Sequence, residues 1–167
     1  LPLEQEDRDP EALERLAADE MLAMQLALQL VRRRREAGRG RSHPAPGALL
    51  SRLRSALPFA PTGAQERTMR EIAADLEAPR AMMRLLMGDV GSGKTLVALA
   101  AMLHVVEAGR QAVLMAPTEV LARQHARSLG ALAAACGLEL GVLTGQDTRR
   151  MRDQARARLA DGSLPLV

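Results

Sequence analysis

The chain is almost without lysine, aromatic residues and cysteine. Only one of its 23 basic residues is lysine, Lys94, and every other is arginine. The single aromatic residue, Phe59, excludes a nucleic-acid interface built from rows of stacked bases. The single cysteine, Cys136, excludes an internal disulfide, so we expect a buried, inert thiol and a cytoplasmic protein. The apolar stretch at residues 21–31 is interrupted by glutamines and is too short to span a bilayer.

Length and charge indicate one small domain with an uneven surface. The 167 residues, 47% of them hydrophobic, suffice for one core. Because the chain starts without methionine and stops in an apolar run, we expect a piece of a longer protein. Residues 1–20 hold eight acids against two arginines, whereas residues 21–60 hold eight arginines against one acid. The four arginines at residues 32–35 therefore indicate either a solvated helix end or a contact with nucleic acid or another domain.

Hydrophobic periodicity predicts an α/β fold behind a long helix. Asp9 and Pro10 are typical of a helix start, and helical spacing continues to about residue 37. The loop composition of residues 38–48 places a domain boundary there. Further helices are predicted at residues 48–57, 63–77, 95–108, 118–136 and 148–160, and strands at residues 83–87, 111–116, 138–143 and from 164 onward. This alternation predicts a parallel sheet with right-handed crossovers.

A glycine-rich loop between the first predicted strand and its helix matches G-x-x-x-x-G-K-[ST] in full. Its residues are Gly88, Asp89, Val90, Gly91, Ser92, Gly93, Lys94 and Thr95. Backbone N–H groups of such a loop surround a polyphosphate, the lysine bridges the β and γ phosphates, and the threonine hydroxyl ligates Mg²⁺. We therefore expect a nucleotide site with Lys94 as its catalytic cation and Thr95 as its metal ligand. For Asp89, a solvated loop carboxylate is favoured over a nucleotide contact.

Gln65 allows two interpretations. Thr62 and Gln65 have the T-x-x-Q spacing of a capping box, which by itself explains both residues. Alternatively, the Gln65 amide recognises adenine, since it can donate to N7 and accept from the N6 amino group. The spacing alone favours capping.

Two further segments lie where predicted strands end, at the edge where parallel α/β folds bind ligands. Thr118 follows one strand and is suited to cap the next helix, and the same hydroxyl could hold a nucleic-acid phosphate. Thr144 and Gly145 follow the next strand and taken alone indicate only a turn.

Taken together, residues 83–95 and 115–125 closely resemble the bacterial RecG branched-DNA helicases of superfamily 2, and the likeness runs from about residue 10 to the end. The resemblance makes the glycine loop motif I and the stretch from Phe59 to Gln65 the adenine-recognising Q motif, so Gln65 would cap and bind adenine at once. It also implies DNA contacts from two segments. The implied residues are Pro117, Thr118, Glu119, Arg123, Gln124, Thr144 and Gly145.

The same resemblance implies an architecture and a function. Residues 1–47 would be a linker helix and loop, and residues 48–167 the N-terminal part of a truncated RecA-like motor domain with a parallel sheet. The parent would be a monomeric ATP- and Mg²⁺-dependent helicase that acts on forks and junctions in recombination and repair, with a second motor domain as partner. The sequence contains no Asp-Glu pair at the end of a strand after Lys94, so hydrolysis by this stretch alone is not expected.

Three alternatives stay open. The motor of a transcription-repair coupling translocase is related, although the Ala-Pro-Thr-Glu segment fits RecG better. A small P-loop kinase or switch predicts a phosphoacceptor site or a guanine-recognising loop, and the sequence has neither. A non-catalytic DNA-binding module predicts DNA binding that is indifferent to nucleotide.

Overall fold

A computed structural model describes residues 10–36 and 40–167. The chain divides into two compact units, Leu1–Arg39 and Gly40–Val167. In the first, helix α1 (Pro10–Glu36) has the predicted length, and leucines along it are about half exposed, as at Leu13 and Leu28. Asp9, the predicted helix end at residue 37 and three of the four side chains at residues 32–35 lie outside the described part. No helix in the described part is long and apolar enough to cross a membrane.

Five helices form the second unit, close to their predicted spans. They are α2 (Ala48–Ala56), α3 (Gly63–Glu77), α4 (Lys94–Glu107), α5 (Glu119–Ala135) and α6 (Arg149–Ala160). The threonines Thr62, Thr118 and Thr148 each cap a helix by accepting a hydrogen bond from the backbone N–H three residues on. Side-chain oxygens satisfy donors that the first turn leaves open, which explains why these helices start where they do.

Helix α4 lies at the centre of the hydrophobic core. It packs against α2, α3 and α5, and its Leu99 and Leu103 are fully buried. A helix that is apolar on nearly every side requires cover all round, which these three helices supply. The core therefore fixes the position of the α4 N-terminus, where the glycine loop ends.

The predicted parallel sheet is not confirmed as a set of strands, because no strand is assigned in the described part. Isolated parallel bridges join Leu166 to Ala112 on one side and to Leu140 on the other. The Leu114 N–H donates to the Val167 carbonyl at 2.7 Å and the Val167 N–H to the Ala112 carbonyl at 3.1 Å. The last predicted strand thus lies between the second and third, but it pairs over too short a length to form a ladder.

Residues 83–87, the predicted first strand, form no β-bridge. Three of their apolar side chains are largely exposed, Met83 by 75%, Leu85 by 83% and Met87 by 80%, while Leu86 packs against the core. Alternation of this kind is typical of extended backbone with one face packed inward. The apolar run that predicted a buried strand is therefore covered on one side only.

Residues 40–47 are tied to the second unit, which begins at Gly40, within the stretch 38–48 whose loop composition indicated the domain boundary. The His43 N–H donates to the Leu76 carbonyl at the end of α3 at 2.9 Å. On α4, Nε2 of the buried His104 lies 2.8 Å from the His43 carbonyl oxygen. His104 is the one buried polar side chain of the described core, and its hydrogen bond with the His43 carbonyl satisfies the imidazole and anchors residues 40–47.

A carboxylate from α4 caps α2. Gly47 precedes α2 with a φ of 85°, a conformation that favours glycine, and offers no side chain as a cap. The Glu107 carboxylate instead accepts the N–H groups of Gly47 at 3.0 Å, Ala48 at 2.6 Å and Leu49 at 3.3 Å. Negative charge at a helix N-terminus is favourable, so Glu107 fixes the start of α2 against the end of α4.

Candidate functional site

The glycine loop presents backbone donors that no protein group uses. Gly91 and Gly93 have φ values of 82° and 80°, which other residues adopt only with strain. Within the described part, no protein acceptor pairs with the N–H groups of Gly91, Gly93, Lys94 or Thr95, whereas the Ser92 N–H donates to the Asp89 carbonyl at 3.2 Å. These donors lie at the N-terminus of α4 or just before it. Free N–H groups at a positive helix end are suited to an anion.

Lys94 folds back over this loop. Its Nζ donates to the carbonyl oxygens of Gly88 at 2.8 Å and Asp89 at 2.7 Å, and the side chain makes no ion pair in the described part. An ammonium on two neutral carbonyls has no compensating negative charge. The charge of Lys94 is therefore available to a phosphate that enters the loop.

Gln65 joins the start of α3 to the glycine loop. The capping box is present: the Gln65 N–H donates to the Thr62 hydroxyl at 3.2 Å, and the Thr62 N–H donates to Gln65 Oε1 at 2.8 Å. The other end of the amide, Nε2, donates to the Ser92 carbonyl at 2.9 Å. A Cβ on Gly93 would collide with Nε2, so the residue before Lys94 must be glycine for this contact as well. Sequence spacing predicted the cap but not the link to the loop.

The amide of Gln65 keeps capacity for a further partner. Oε1 has a second lone pair and Nε2 a second N–H, so capping and adenine recognition are compatible. Phe59, the other predicted adenine contact, is 57% exposed on the segment that leads into α3. In the loop itself, Asp89 and Val90 are exposed, and Asp89 makes its contacts through its backbone. Within residues 10–36 and 40–167, no protein partner engages the Asp89 carboxylate.

Arg123 connects the two segments for which DNA contacts were predicted. Its guanidinium donates to Glu119 at 2.8 Å and to the Thr144 hydroxyl at 3.2 Å, and it lies 3.7 Å from the Asp147 carboxylate. Asp147 also accepts the Thr144 N–H at 2.6 Å. We call these four residues, Glu119, Arg123, Thr144 and Asp147, the Arg123 brace. It holds the start of α5 against the turn before α6.

Asp147 was missed by sequence reasoning. Its side chain is only 7% exposed and is held by Thr144 and Arg123. The available signal was an acid three residues after a threonine in a glycine turn, a spacing at which a side chain can close the turn on the backbone. Asp147 therefore makes Thr144 and Gly145 part of a fixed structure.

The other residues for which DNA contacts were predicted lie in or next to the two segments that the brace joins. Thr118 caps α5 and accepts the Leu121 N–H at 3.3 Å. Pro117, Gln124 and Gly145 are exposed, and nothing lies within 4 Å of the position that a Cβ on Gly145 would take. Arg123, on the helix that Thr118 caps, thus joins that helix to Thr144, and the turn at Gly145 is open.

Two groups with shifted pKa values lie outside the candidate site. Burial raises the pKa of the Cys136 thiol, with a smaller opposing effect of Arg52, so this cysteine is buried and poorly ionised, as predicted. The hydrogen bonds from Arg158 lower the pKa of Glu139, with both nitrogens 2.7 Å from the carboxylate oxygens. Neither group belongs to the glycine loop or to the Arg123 brace.

A cavity of about 310 Å³ lies between α5 and the segments around residues 113–116 and 140–143. Its lining is mainly apolar and includes Leu114, Leu129 and Leu140, and none of the glycine-loop residues takes part. An apolar lining suits packing of hydrophobic side chains and gives a triphosphate no partners. In the described part, no group of three or more His, Cys, Asp or Glu side chains is arranged to hold a metal ion.

Comparison with known proteins agrees with this geometry. The profile of the DEAD/DEAH box helicase family matches residues 62–162, which is more than half of the chain. The matched range starts at the α3 cap and includes the glycine loop and the Arg123 brace.

Curated relatives are all similar over nearly the whole chain. The ATP-dependent DNA helicase RecG of Acidithiobacillus ferridurans is 50% identical over 93% of this chain. The RecG proteins of Escherichia coli (strain K12) and Bacillus subtilis (strain 168) are 42% and 40% identical over the same share. The chain spans 23%, 22% and 23% of these three proteins, respectively.

A solved structure shows the same fold. The structure of RecG bound to a three-way DNA junction superimposes with a TM-score of 0.82 and 38% sequence identity. The match covers 92% of this chain and 21% of that one.

Proposed function

Because the chain belongs to the DEAD/DEAH box helicase family, we propose that the protein it forms uses ATP to separate or remodel DNA strands at forks and junctions. The observation that carries the proposal is the glycine loop, whose N–H donors at Gly91, Gly93 and Thr95 have no protein acceptor and whose lysine has no ion pair among the described residues, within a chain that is 50% identical to a RecG helicase. Recombination and repair of branched DNA would be the setting in which this activity is used.

The nucleotide would be held by the loop. The free N–H groups of Gly91, Gly93 and Thr95 donate to phosphate oxygens, and Lys94 leaves its carbonyl partners to neutralise the terminal phosphates. The Thr95 hydroxyl, which has no protein partner in the described part, is the ligand that this chain offers to Mg²⁺. Bound Mg²⁺ neutralises charge on the phosphates.

Adenine would be recognised at the start of α3. The Gln65 amide would donate to and accept from the base through its remaining hydrogen-bonding capacity. Phe59, six residues earlier on the segment that leads into α3, has an exposed ring that offers the base an apolar face. Because the same amide holds the Ser92 carbonyl, a bound base and the loop are coupled through one side chain. Nucleotide binding would therefore stabilise the start of α3.

DNA would lie along the surface held by the Arg123 brace. The hydroxyls of Thr118 and Thr144, the α5 N-terminus and the open turn at Gly145 are suited to phosphate oxygens, with Pro117 and Gln124 exposed beside them. Glu119 and Arg123 shape this surface through their mutual hydrogen bond. Contacts of this kind position a strand without reading its sequence.

The proposal extends to the domain architecture of the protein. Residues 48–167 form the N-terminal part of a RecA-like motor domain whose parallel sheet is begun by the bridges at Leu166, and residues 1–47 link it to other parts of the protein. A second motor domain closes on the nucleotide, and the protein works as a cytoplasmic monomer. Alternating closure would move the protein along DNA.

Strand separation tests the function directly. The complete gene product is incubated with a three-way DNA junction that carries a fluorophore and quencher on one arm. ATP with Mg²⁺ should release the labelled strand, whereas ATP with a chelator or a non-hydrolysable analogue should not. Junction binding that is unaffected by nucleotide, without strand release, would instead identify a non-catalytic DNA-binding module.

A further inference from the structure

The Arg123 brace has too little positive charge to bind DNA on its own. The guanidinium of Arg123 faces two carboxylates, those of Glu119 and Asp147. Each phosphate of a DNA strand adds one negative charge, and affinity for DNA comes mainly from arginines and lysines that neutralise these phosphates. A track across the brace therefore needs cations from a neighbouring element.

Such cations lie at the start of α6, directly after the brace. The first turn of this helix has three exposed arginines, Arg149, Arg150 and Arg152, which we call the α6 arginine cluster. In the described part, Arg150 and Arg152 make no ion pair or side-chain hydrogen bond, and Arg149, whose side chain is 94% exposed, is 3.8 Å from Asp153. The cluster has charge that the fold does not use.

The position of these arginines is unfavourable for the helix itself. The N-terminal end of a helix is positive, so acids are preferred there, and the first turns of α3 and α5 contain Glu66 and Glu119. The first turn of α6 contains no acid, as is also true of α2 and α4, but it alone among them carries three arginines. A departure from a local rule that brings no gain inside the fold is typical of a functional surface. An anion bound here would be attracted by the arginines and by the helix end together.

We propose that Arg149, Arg150 and Arg152 bind successive phosphates of a DNA strand that passes over Thr144 and Gly145. The cluster supplies the cationic end of the track whose neutral end is formed by the helix cap at Thr118. This inference rests on the proposed function for the nature of the anion. Because arginine contacts to phosphate do not distinguish bases, the cluster strengthens binding to any DNA sequence alike.

The salt dependence of DNA binding tests this assignment. In the complete gene product, Arg150→Gln with Arg152→Gln removes the two arginines that have no partner, and Arg70→Gln with Arg110→Gln is a control with the same loss of charge on α3 and after α4. Affinity for a fluorescent linear duplex is measured by anisotropy between about 50 and 200 mM salt. The cluster variant should bind about tenfold more weakly, and its slope of log affinity against log salt should be about two smaller in magnitude than that of the wild type.

Each outcome decides the assignment. The control variant should match the wild type in slope and bind within about twofold of it. The midpoint temperature of thermal unfolding of the cluster variant should be unchanged or slightly raised, because arginines have been removed from a positive helix end. A cluster variant with the wild-type slope would overturn the proposal. Failure of the proposed function would be seen separately, as wild-type protein that binds the duplex without releasing a junction strand when ATP is added.

Discussion

Lys94 and Arg123 hold their positive charges in opposite ways. Lys94 rests on two backbone carbonyls that have no net charge, whereas Arg123 is matched by Glu119 and lies close to Asp147. A ligand phosphate competes easily with neutral carbonyls but poorly with two carboxylates. We therefore expect Lys94 to change partners when a ligand enters the loop, and Arg123 to keep its partners as a fixed part of the framework.

The largest effect should come from the movable charge. In the complete gene product, Lys94→Ala should lower the rate of DNA-stimulated ATP hydrolysis at least about a hundredfold, because the terminal phosphates lose their cation. Junction binding should stay largely intact, since Lys94 is not on the proposed DNA surface. Phosphate release and fluorescence anisotropy measure the two activities. Hydrolysis retained by Lys94→Ala would contradict the role of this residue, and Lys94→Arg serves as the charge-conserving control.

The fixed charge should affect stability more than DNA binding. Arg123→Gln removes the cation beside the nearly buried Asp147 together with the hydrogen bonds to Glu119 and Thr144, and should lower the free energy of unfolding by about 2 kcal/mol. Arg127→Gln, one turn further along α5 and without a protein partner in the described part, should change it by less than about 0.5 kcal/mol. Denaturant titration of both variants measures this. If Arg123→Gln also reduces the salt slope of DNA binding by about one, Arg123 is a phosphate ligand and its contrast with Lys94 is lost.

A smaller effect is expected at Gln65. Like Arg123 it holds protein groups in place, and like Lys94 it can still bind a ligand, because its amide keeps unused hydrogen-bonding capacity. Gln65→Ala should weaken binding of ATP about tenfold more than binding of inorganic triphosphate, a difference of about 1.4 kcal/mol. Thr62→Ala breaks the same capping box but leaves the amide in place, so it should affect the two ligands equally. Isothermal titration gives both affinities. Equal losses in both variants would leave Gln65 with a capping role alone.

Local signals predicted the helices well and the pairings poorly. Threonine caps and apolar periodicity depend on residues close in sequence, and α3 accordingly spans the predicted residues 63–77. The predicted strands depended on partners far along the chain, which periodicity cannot specify. Among the described residues, the predicted strands pair only through single bridges at Leu166. The glycine loop was predicted from its spacing because part of that spacing is a local backbone requirement: Gly93, a fixed position of the motif, has a φ of 80°.

The contacts that organise the candidate site were beyond sequence reasoning for the same reason. Gln65 and Ser92 are 27 residues apart, and Arg123 and Thr144 are 21 apart. A capping box explains Gln65 fully at the local level, so nothing in the sequence required a second partner. The residues proposed to contact DNA were taken from resemblance, and the structure adds Asp147 as the group that fixes the turn at Thr144.

The capping of α2 by Glu107 gives the protein a built-in spectroscopic reporter. Three consecutive amide protons, those of Gly47, Ala48 and Leu49, are shielded from solvent exchange by one carboxylate that belongs to the far end of α4. Their exchange rates should rise together whenever that end of α4 moves. Because α4 begins at the glycine loop, these three resonances offer a way to follow events at the nucleotide from the opposite end of the helix.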